Sequence, residues 1–463
     1  MYDRGEVIVP RLGEAIFIEK PPMTYWGIMS GLYLFGRNEW GARFFHALCF
    51  LATALTVSLL GNDLFKNRFV GGIAGLIYAT MGIPFAAANC VTPDTPLTLW
   101  TTVAAYLFWK SVQFHGRSAT LWKLLLAIAV GLGFMCKGPA VLVLCTGVFV
   151  FLVSMGWLKP YFLTRATLPA MCFFTVVGLS WYFWIACTIP GALQYFVDNE
   201  VSGRLISAKY HRNPGVAGVG IYFLTLVLGS LPWGLIWWRK KKLIKEVFRI
   251  SWWTNLRDKP EILFLSTWFL VPLLIFCSAS SKLPLYLLPL FPALALATAS
   301  VYSTHIDSIL SQKGISGLAM PVMALSFWIL ILLGAKFGIA YYPTVKDSRA
   351  LWREIGRYIP VSNYEIVAVD EHVGGLLFYG AREVKKVTIS ENPYPTFSMP
   401  KSITTELQDM VGDDDYHIFI LKKSVRLGEV YKLLADRGVK FTEVQLSHNR
   451  ELLICEPLKC DFR

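Results

Sequence analysis

The stretch Val216–Lys242, VAGVGIYFLTLVLGSLPWGLIWWRKKK, decides the fold class. Its first 23 residues are mostly apolar, and a helix of about 20 such residues crosses the hydrocarbon core of a bilayer. The run ends in Trp237 and Trp238, which the basic residues Arg239–Lys242 follow directly. This order of aromatic and basic side chains is typical of the edge of a membrane span. The stretch therefore predicts a transmembrane helix.

Similar apolar runs recur along the first 341 residues of the chain. The 463 residues are 55% hydrophobic and 16% charged, whereas a soluble globular chain carries about 25% charged residues. The composition therefore excludes an ordinary soluble protein and predicts a polytopic α-helical membrane protein. About ten spans are predicted, near 41–61, 69–91, 95–112, 119–136, 138–157, 167–190, 216–238, 261–279, 283–303 and 317–341.

The formal net charge of +13 raises the question of a nucleic-acid partner. Nucleic-acid-binding proteins gather their basic residues on one exposed surface. Here the densest basic run lies at the end of a predicted span instead. We therefore expect membrane lipid, and no nucleic acid, as a partner.

The loops between the spans predict the orientation of the chain. One set of alternate loops holds sixteen Lys and Arg residues and the opposite set holds five. Basic loops stay on the cytoplasmic side, so residues 1–40 and 342–463 are predicted to lie outside. Within the first segment, the short apolar stretch 23–35 predicts a helix that lies in the membrane interface.

An outside N-terminal segment needs a preceding span to carry it across the membrane. We therefore expect a transmembrane helix encoded ahead of Met1, and the alternative is that one span is miscounted. Residues 342–463 have a different pattern, with short β-type runs at 365–369, 417–421 and 452–454 and an amphipathic helix near 425–437. This pattern predicts a small soluble α/β domain. Cys455 and Cys460 could form a disulfide there or remain free thiols.

Ionisable residues gather at the outer ends of the predicted spans. Ionisable groups at membrane depth are costly and commonly face a cavity or a partner. A set of cations and carboxylates at an apolar boundary suits a ligand with a phosphate head and a lipid tail, because Lys and Arg form charge-assisted hydrogen bonds to phosphate. The set comprises Glu19, Lys20, Asp94, Lys137, Asp198, Glu200, Arg204, His211 and Lys282.

Five of these residues also have a structural explanation. Lys137 and Lys282 could extend to the lipid headgroups. Asp94, in the sequence Thr-Pro-Asp-Thr-Pro, could cap the helix that follows it. Glu200 and Arg204 are four residues apart and could form an ordinary ion pair on one helix.

Four sequence motifs, in order along the chain, resemble those of the GT-C membrane glycosyltransferases of the protein O-mannosyltransferase-like group. The similarity is greatest to the bacterial lipid A aminoarabinose transferases. Each motif is weak alone, but the combination is specific. The motifs are Val7–Leu12 running to Glu19–Pro22, Thr92–Thr98, Cys136–Pro139 and Ser281–Pro289.

The resemblance implies an enzyme that moves a sugar from a polyprenyl-phosphate carrier to a lipid A-like or other extracytoplasmic acceptor. The carrier-linked sugar and a lipid or glycan acceptor would be its partners, at the periplasmic face of a bacterial inner membrane. Asp94 is the predicted catalytic residue. The predicted contacts to the donor phosphate are Lys20, Lys137, Arg204, Lys282 and Tyr286, and the predicted ligands of a divalent metal ion are Glu19, Glu200 and His211.

The chain departs from the family pattern in two places. In relatives, the segment similar to Val7–Pro10 follows a first transmembrane helix and an acidic Asp-Glu loop, which supplies the proposed general base. Relatives also often carry Glu-His where this chain has Glu200-Val201. Whether His211 replaces that histidine is open.

Two other functions remain open from the sequence. A transporter or flippase of a charged lipid would usually show internal repeats and ionisable residues near the bilayer midplane; we find no clear repeat, and the ionisable residues lie at the boundary. A truncated, inactive family member that only binds carrier lipid is the second alternative.

Overall fold

The computed structural model describes residues 1–12, 15–202, 213–239, 256–342, 344–359, 363–371, 373–381, 383–389, 397, 401–410, 414–422 and 427–457. The chain forms two compact units. The first contains Met1–Pro10 and Ile18–Ala340, and the second contains Arg11–Phe17 and Tyr341–Arg463.

Among the described residues, the first unit contains helices and no strand. The helix Thr167–Thr188 contains a π-helical stretch at Thr175–Leu179, a π-helix over Phe196–Ser202 follows the helix Ala192–Tyr195, and a 3-10 helix at Pro284–Leu290 leads into the helix Phe291–Lys313. The helices are α1 Met23–Phe35, α2 Glu39–Phe65, α3 Arg68–Thr80, α4 Gly82–Ala87, α5 Asp94–Gln113, α6 Gly116–Lys137, α7 Ala140–Met155, α8 Leu158–Phe162, α9 Thr167–Thr188, α10 Ala192–Tyr195, α11 Gly215–Gly229, α12 Leu235–Arg239, α13 Pro260–Ser278, α14 Phe291–Lys313 and α15 Ala319–Tyr341.

Six helical segments among the described residues are long and apolar enough to cross a membrane: Glu39–Phe65, Gly116–Lys137, Thr167–Thr188, Pro260–Ser278, Pro284–Ile306 and Ser316–Tyr341. Helices also lie at the other four predicted spans, where they are shorter or more polar: α3 with α4, α5, α7, and α11 with α12. The chain is therefore a polytopic α-helical membrane protein.

Asparagine residues cap the N-termini of α2 and α3. The Asn38 side chain accepts a hydrogen bond from the backbone N–H of Gly41 at the start of α2. Asn67 does the same for Phe69 at the start of α3, 2.9 Å away. Such caps satisfy backbone N–H groups that the helix leaves without partners. The sequence therefore fixes where both helices start.

Aromatic rings fill the core between α5, α7 and α13. Phe264 of α13 lies in ring contact with Phe108, Trp109 and Phe151 at centroid distances of 5.4–5.6 Å. These rings bring three helices together, since aromatic side chains bury large areas and pair with defined geometry.

Glycines allow a close approach of α6 and α9. A Cβ added at Gly131 would come within 3.1 Å of the Gly178 nitrogen, and one added at Gly178 would come within 3.1 Å of the Gly131 Cα. Small residues let membrane helices pack backbone to backbone. The contact lies at the π-helical stretch of α9, and it holds the two helices in register.

The second unit carries a six-stranded mixed sheet with strand order β5-β4-β3-β6-β8-β7. Strands β5, β4, β3 and β6 run parallel to one another, whereas β8 pairs antiparallel with both β6 and β7. A two-stranded ladder, β1 with β2, also falls in this unit. The strands are β1 Arg11–Leu12, β2 Ala15–Ile16, β3 Tyr364–Val369, β4 Val384–Thr388, β5 Lys401–Ser402, β6 Tyr416–Lys422, β7 Phe441–Leu446 and β8 Arg450–Cys455.

The described residues of this unit form four helices: α16 Ser348–Ile355, α17 Gly375–Tyr379, α18 Ile403–Asp409 and α19 Leu427–Ala435. Buried residues of α18 and α19 pack on one face of the sheet, and those of α16 and α17 pack on the other. The sequence thus correctly predicted a small α/β domain after the last membrane helix. Cys455 is buried in β8, and Cys460 lies outside the described residues.

Candidate active site

The candidate site lies where three of the four motifs that carry the resemblance meet, with Asp94 at its centre. Asp94 begins α5, yet its side chain makes no capping hydrogen bond to that helix. The carboxylate instead lies 2.5 Å from the ammonium of Lys137, at the end of α6. Both side chains are about nine-tenths buried, with 8% and 11% exposed. The interpretation of Asp94 as a helix cap was therefore wrong.

Lys137 does not extend to the surface, so the prediction that it reaches the headgroups was also wrong. Its ammonium contacts Asp94 on one side and lies 4.2 Å from the centroid of the Tyr286 ring on another. A cation near an aromatic face is attracted by the ring quadrupole. Asp94, Lys137 and Tyr286 come from motifs far apart in sequence, and Lys137 contacts the other two.

Gly138 allows the turn that aims Lys137 at Asp94. Its φ of +62° is a conformation that side chains rarely adopt. A Cβ at this position would also come within 2.7 Å of the Tyr182 hydroxyl oxygen. The Lys-Gly-Pro motif therefore needs its glycine for two reasons, the backbone angle and the packing of α9.

Lys282 lies in the hairpin between α13 and Tyr286, and it is 3% exposed. Its ammonium donates to the backbone carbonyl of Ala279 at 2.6 Å. The side chain packs on Gly218 of α11, where an added Cβ would lie 2.5 Å from the Lys282 Cδ. Because the side chain is buried, the headgroup interpretation fails for this lysine as well.

A cleft of about 490 Å³ opens beside Lys282. It lies between the start of α11 and the end of α13, and apolar and small residues line most of it, including Gly215, Val219 and Cys277. Pockets of about 300–1,000 Å³ hold small molecules or their head groups. The Ser281–Pro289 motif therefore contributes Tyr286 to the contacts of Lys137, and Lys282 to the cleft.

Glu19 and Lys20 are half-buried just before α1. The Lys20 ammonium donates to the Glu19 backbone carbonyl at 2.7 Å. Burial raises the pKa of Tyr25, and the nearby Glu19 carboxylate raises it further. The Glu19 side chain therefore lies close to the first turn of α1.

The segment that precedes Glu19 is held by two tryptophans. The Trp26 indole donates to the Val7 carbonyl at 2.6 Å, and the Trp181 indole of α9 donates to the Ile8 carbonyl at 2.8 Å. These bonds fix the backbone of the first family motif between α1 and α9.

Three predicted site residues fall at the edge of the described chain. Arg204 and His211 lie outside the described residues. Glu200 lies in the π-helix Phe196–Ser202, but its side chain is outside the described part. Their predicted roles at the donor phosphate and the metal ion stay predictions.

Of the three predicted metal ligands, only Glu19 has a described side chain, and a single carboxylate does not make a metal site. A separate group in the second unit, Glu365, Glu406 and His417, places ligand atoms within 4.8 Å of one another. The Lys385 ammonium lies among them, 2.6 Å from Glu365 and 3.2 Å from Glu406. We interpret this group as an internal ion-pair network.

His46 is a site residue that the sequence analysis missed. It is fully buried in α2, and its Nε2 lies 3.0 Å from the carbonyl oxygen of Thr92, two residues before Asp94. The signal was present in the sequence, because a histidine within an apolar span is rare and usually has a specific partner.

Comparison with known proteins adds to this geometry. Residues 19–184 match the model of the family described as dolichyl-phosphate-mannose-protein mannosyltransferase. The matched range includes Glu19, Lys20, Asp94 and Lys137.

Two curated relatives carry the same description, undecaprenyl phosphate-alpha-4-amino-4-deoxy-L-arabinose arabinosyl transferase. The one from Photorhabdus laumondii is 31% identical over 308 residues, which cover 65% of this chain and 52% of the relative. The one from Proteus mirabilis, whose description adds the number 2, is 30% identical over 305 residues, with coverages of 65% and 52%. The chain thus spans about half the length of these relatives.

The crystal structure of ArnT from Cupriavidus metallidurans in the apo state matches 98% of this chain and 91% of its own, with a TM-score of 0.73 at 17% identity. This chain has the fold of ArnT. The same protein bound to undecaprenyl phosphate matches with a TM-score of 0.72. The resemblance to GT-C membrane glycosyltransferases, and the predicted fold class, are confirmed.

Proposed function

We propose that this chain is a membrane glycosyltransferase that moves a sugar from a polyprenyl-phosphate carrier to a lipid A-like or other extracytoplasmic acceptor. The observation that carries the proposal is the meeting of Asp94, Lys137 and Tyr286 in a chain with the ArnT fold. The names of the curated relatives support the carrier and the sugar class.

The proposed roles follow from the chemistry of each side chain. Lys20, Lys137, Arg204 and Lys282 supply positive charge for the donor phosphate, because ammonium and guanidinium groups form strong hydrogen bonds to phosphate oxygens. Asp94 contacts the reacting groups and holds the Lys137 ammonium in place. Tyr286 limits where that ammonium can lie, and the cleft at Lys282 receives the donor head group.

A divalent ion, if held, would be bound by Glu19 together with Glu200 and His211. Such an ion would neutralise the phosphate charge as the sugar leaves. The roles that we assign to Asp94, Lys137 and Tyr286 do not depend on that ion.

We place the active face on the periplasmic side of a bacterial inner membrane. The charges of the loops between the spans support this orientation, because one set of alternate loops holds sixteen Lys and Arg residues and the set assigned to this side holds five. Labelling of Cys90 with a membrane-impermeant maleimide in intact spheroplasts tests it, since Cys90 is exposed in the loop that leads to Asp94. Labelling only after the membrane is opened would contradict the placement.

The activity is tested with the purified chain in liposomes that contain undecaprenyl-phosphate-linked aminoarabinose and lipid A. Mass spectrometry of the lipid then detects transfer. We expect transfer by the wild type, and loss of it in Lys20→Ala and Arg204→Ala at unchanged folding. Lys159→Ala, a change near α8 away from the site, is the control. Normal transfer by both site variants would contradict the assignment.

The same liposomes separate the alternative functions. Movement of the carrier-linked sugar across the bilayer without transfer would favour a transporter or flippase. Binding of carrier lipid with neither movement nor transfer would favour an inactive member. The described ionisable residues of the site lie at helix ends, which fits transfer at the boundary better than transport through the midplane.

A further inference from the structure

His46 is a fully buried polar residue in the membrane region, and it lies in the second turn of α2. A buried polar group without a hydrogen bond costs free energy, so a histidine here needs a reason. Its one hydrogen-bond contact among the described residues is from Nε2 to the Thr92 carbonyl oxygen, at 3.0 Å.

This contact defines the hydrogen position on the ring. A backbone carbonyl can only accept, so Nε2 must carry the hydrogen. Nδ1 is fully buried and has no hydrogen-bond partner within the described chain. The ring is therefore assigned as the neutral imidazole with hydrogen on Nε2, because a second N–H on Nδ1 would be a buried donor without an acceptor.

The carbonyl that His46 holds belongs to the loop before α5. A second side chain of α2 holds the same loop, since the Arg43 Nε donates to the Asn89 carbonyl at 3.2 Å. Arg43 and His46 are three residues apart and lie on one face of the helix. On the far side of Asp94, Thr95 in the first turn of α5 donates to the carbonyl of Ala87, the last residue of α4, at 3.2 Å. The backbone that leads to Asp94 is thus fixed at three carbonyls.

We propose that His46 is a positioning residue for the Asp94–Lys137 pair. Its hydrogen bond fixes the Thr92 carbonyl, and Pro93, the one residue between Thr92 and Asp94, transmits that position to the carboxylate. His46 itself touches neither substrate nor the reacting atoms. The catalytic part of this inference rests on the proposed function, whereas the structural coupling between His46 and the pair does not.

The test compares His46→Leu, which removes the donor at similar volume, with His46→Gln, whose amide N–H can reach the same carbonyl. We expect kcat/KM for the carrier-linked sugar to fall about 10- to 100-fold in His46→Leu, since a displacement of about 1 Å can cost that much. His46→Gln should recover most of this loss. Thr56→Val is the control, because Thr56 is also buried in α2 and its hydroxyl donates to the Ala52 carbonyl of the same helix.

A second comparison separates positioning from general stability. In an Asp94→Asn background, His46→Leu should cause no further loss of transfer per folded molecule, because the residue acts through Asp94. Independent, multiplying losses would overturn the proposal, and so would wild-type activity in His46→Leu. If His46→Leu does not fold, His46→Asn replaces it, since its amide is one methylene shorter than that of glutamine and falls short of the carbonyl.

If the wild type shows no transfer, the proposed function fails but the coupling remains measurable. The thermal midpoint in detergent is then determined for His46→Leu, Asp94→Asn and the double variant. A combined shift smaller than the sum of the two single shifts supports the coupling. Additive shifts would contradict it.

Discussion

Asp94 and Lys137 form a largely buried ion pair, and we expect its loss to affect folding and the proposed transfer. We expect Lys137→Met to lower the free energy of unfolding by about 3–5 kcal/mol, because it leaves a buried carboxylate without its partner. The double variant Asp94→Asn, Lys137→Met should recover much of that stability and none of the transfer. Thermal unfolding in detergent and the liposome assay measure the two effects.

A second buried pair at the opposite end of α5 is the matched control. Lys110 and Asp63 are also 2.5 Å apart, with 17% and 16% of their side chains exposed. Lys110→Met should destabilise the chain comparably and leave transfer per folded molecule near the wild-type level. Equal loss of transfer in Lys110→Met would mean that the effect at Lys137 is only structural.

Buried charges also stabilise the second unit. Burial alone would lower the pKa of Lys385, but Glu365 and Glu406 outweigh it and raise the pKa. A lysine whose pKa is raised on folding stabilises fully below its unfolded pKa of about 10.4 and loses this contribution above it. The difference in stability between wild type and Lys385→Met should therefore be constant near neutral pH and shrink above about pH 10. Proteolysis of the full chain at several pH values, read with a C-terminal tag, measures it.

At the scale of elements, the turn between α6 and α7 depends on Gly138. We expect Gly138→Ala to lower stability and transfer together, because the left-handed backbone angle and the contact with the Tyr182 hydroxyl both oppose a Cβ. Gly156→Ala is the control at the other end of α7. Gly156 has a φ of +72° with no atom within 4 Å of an added Cβ, so only the backbone strain of about 1 kcal/mol applies.

If Gly138→Ala and Gly156→Ala lower the free energy of unfolding equally and keep transfer, the contact between Tyr182 and position 138 has no role in transfer. A larger loss in Gly138→Ala, with reduced transfer, supports the role of the turn in aiming Lys137. Thermal midpoints and transfer rates of the two variants decide between these outcomes.

The sequence predicted elements better than contacts between them. Long apolar runs with aromatic and basic ends mark spans from local composition alone, and helices lie at every predicted segment. The pairing of Asp94 with Lys137 was not predicted, because hydropathy contains no information on which spans are neighbours. His46 was missed because its partner is a backbone carbonyl. The sequence marks a histidine within an apolar span, but it does not show which carbonyl that histidine contacts.

At the scale of the whole molecule, the second unit should lose stability in alkali. Burial raises the pKa of the Cys455 thiol to about 12, against about 8.5 in an unfolded chain. The thiol ionises first in the unfolded state. Its contribution to the free energy of unfolding is therefore constant below about pH 8.5 and then falls by up to about 1.4 kcal/mol per pH unit towards pH 12.

Cys455→Val, which keeps an apolar side chain of similar size, should remove that part of the alkaline slope. Ile454→Val, a change at the neighbouring position of β8, should retain it. Proteolysis of the full chain between about pH 8 and about pH 11, where the thiol of the unfolded chain titrates, compares the two variants. A C-terminal tag detects the intact second unit. An unchanged slope in Cys455→Val would assign the alkaline loss to other groups.

The two indole bonds to the Val7 and Ile8 carbonyls have an evolutionary consequence. Trp26 and Trp181 recognise the main chain, and both residues they hold are largely exposed, at 52% and 40%. We therefore expect side-chain substitutions at positions 7 and 8 to be nearly neutral, and replacement of either tryptophan to release the segment. Among diverging homologues, the tryptophans should persist after the motif they hold has drifted beyond recognition.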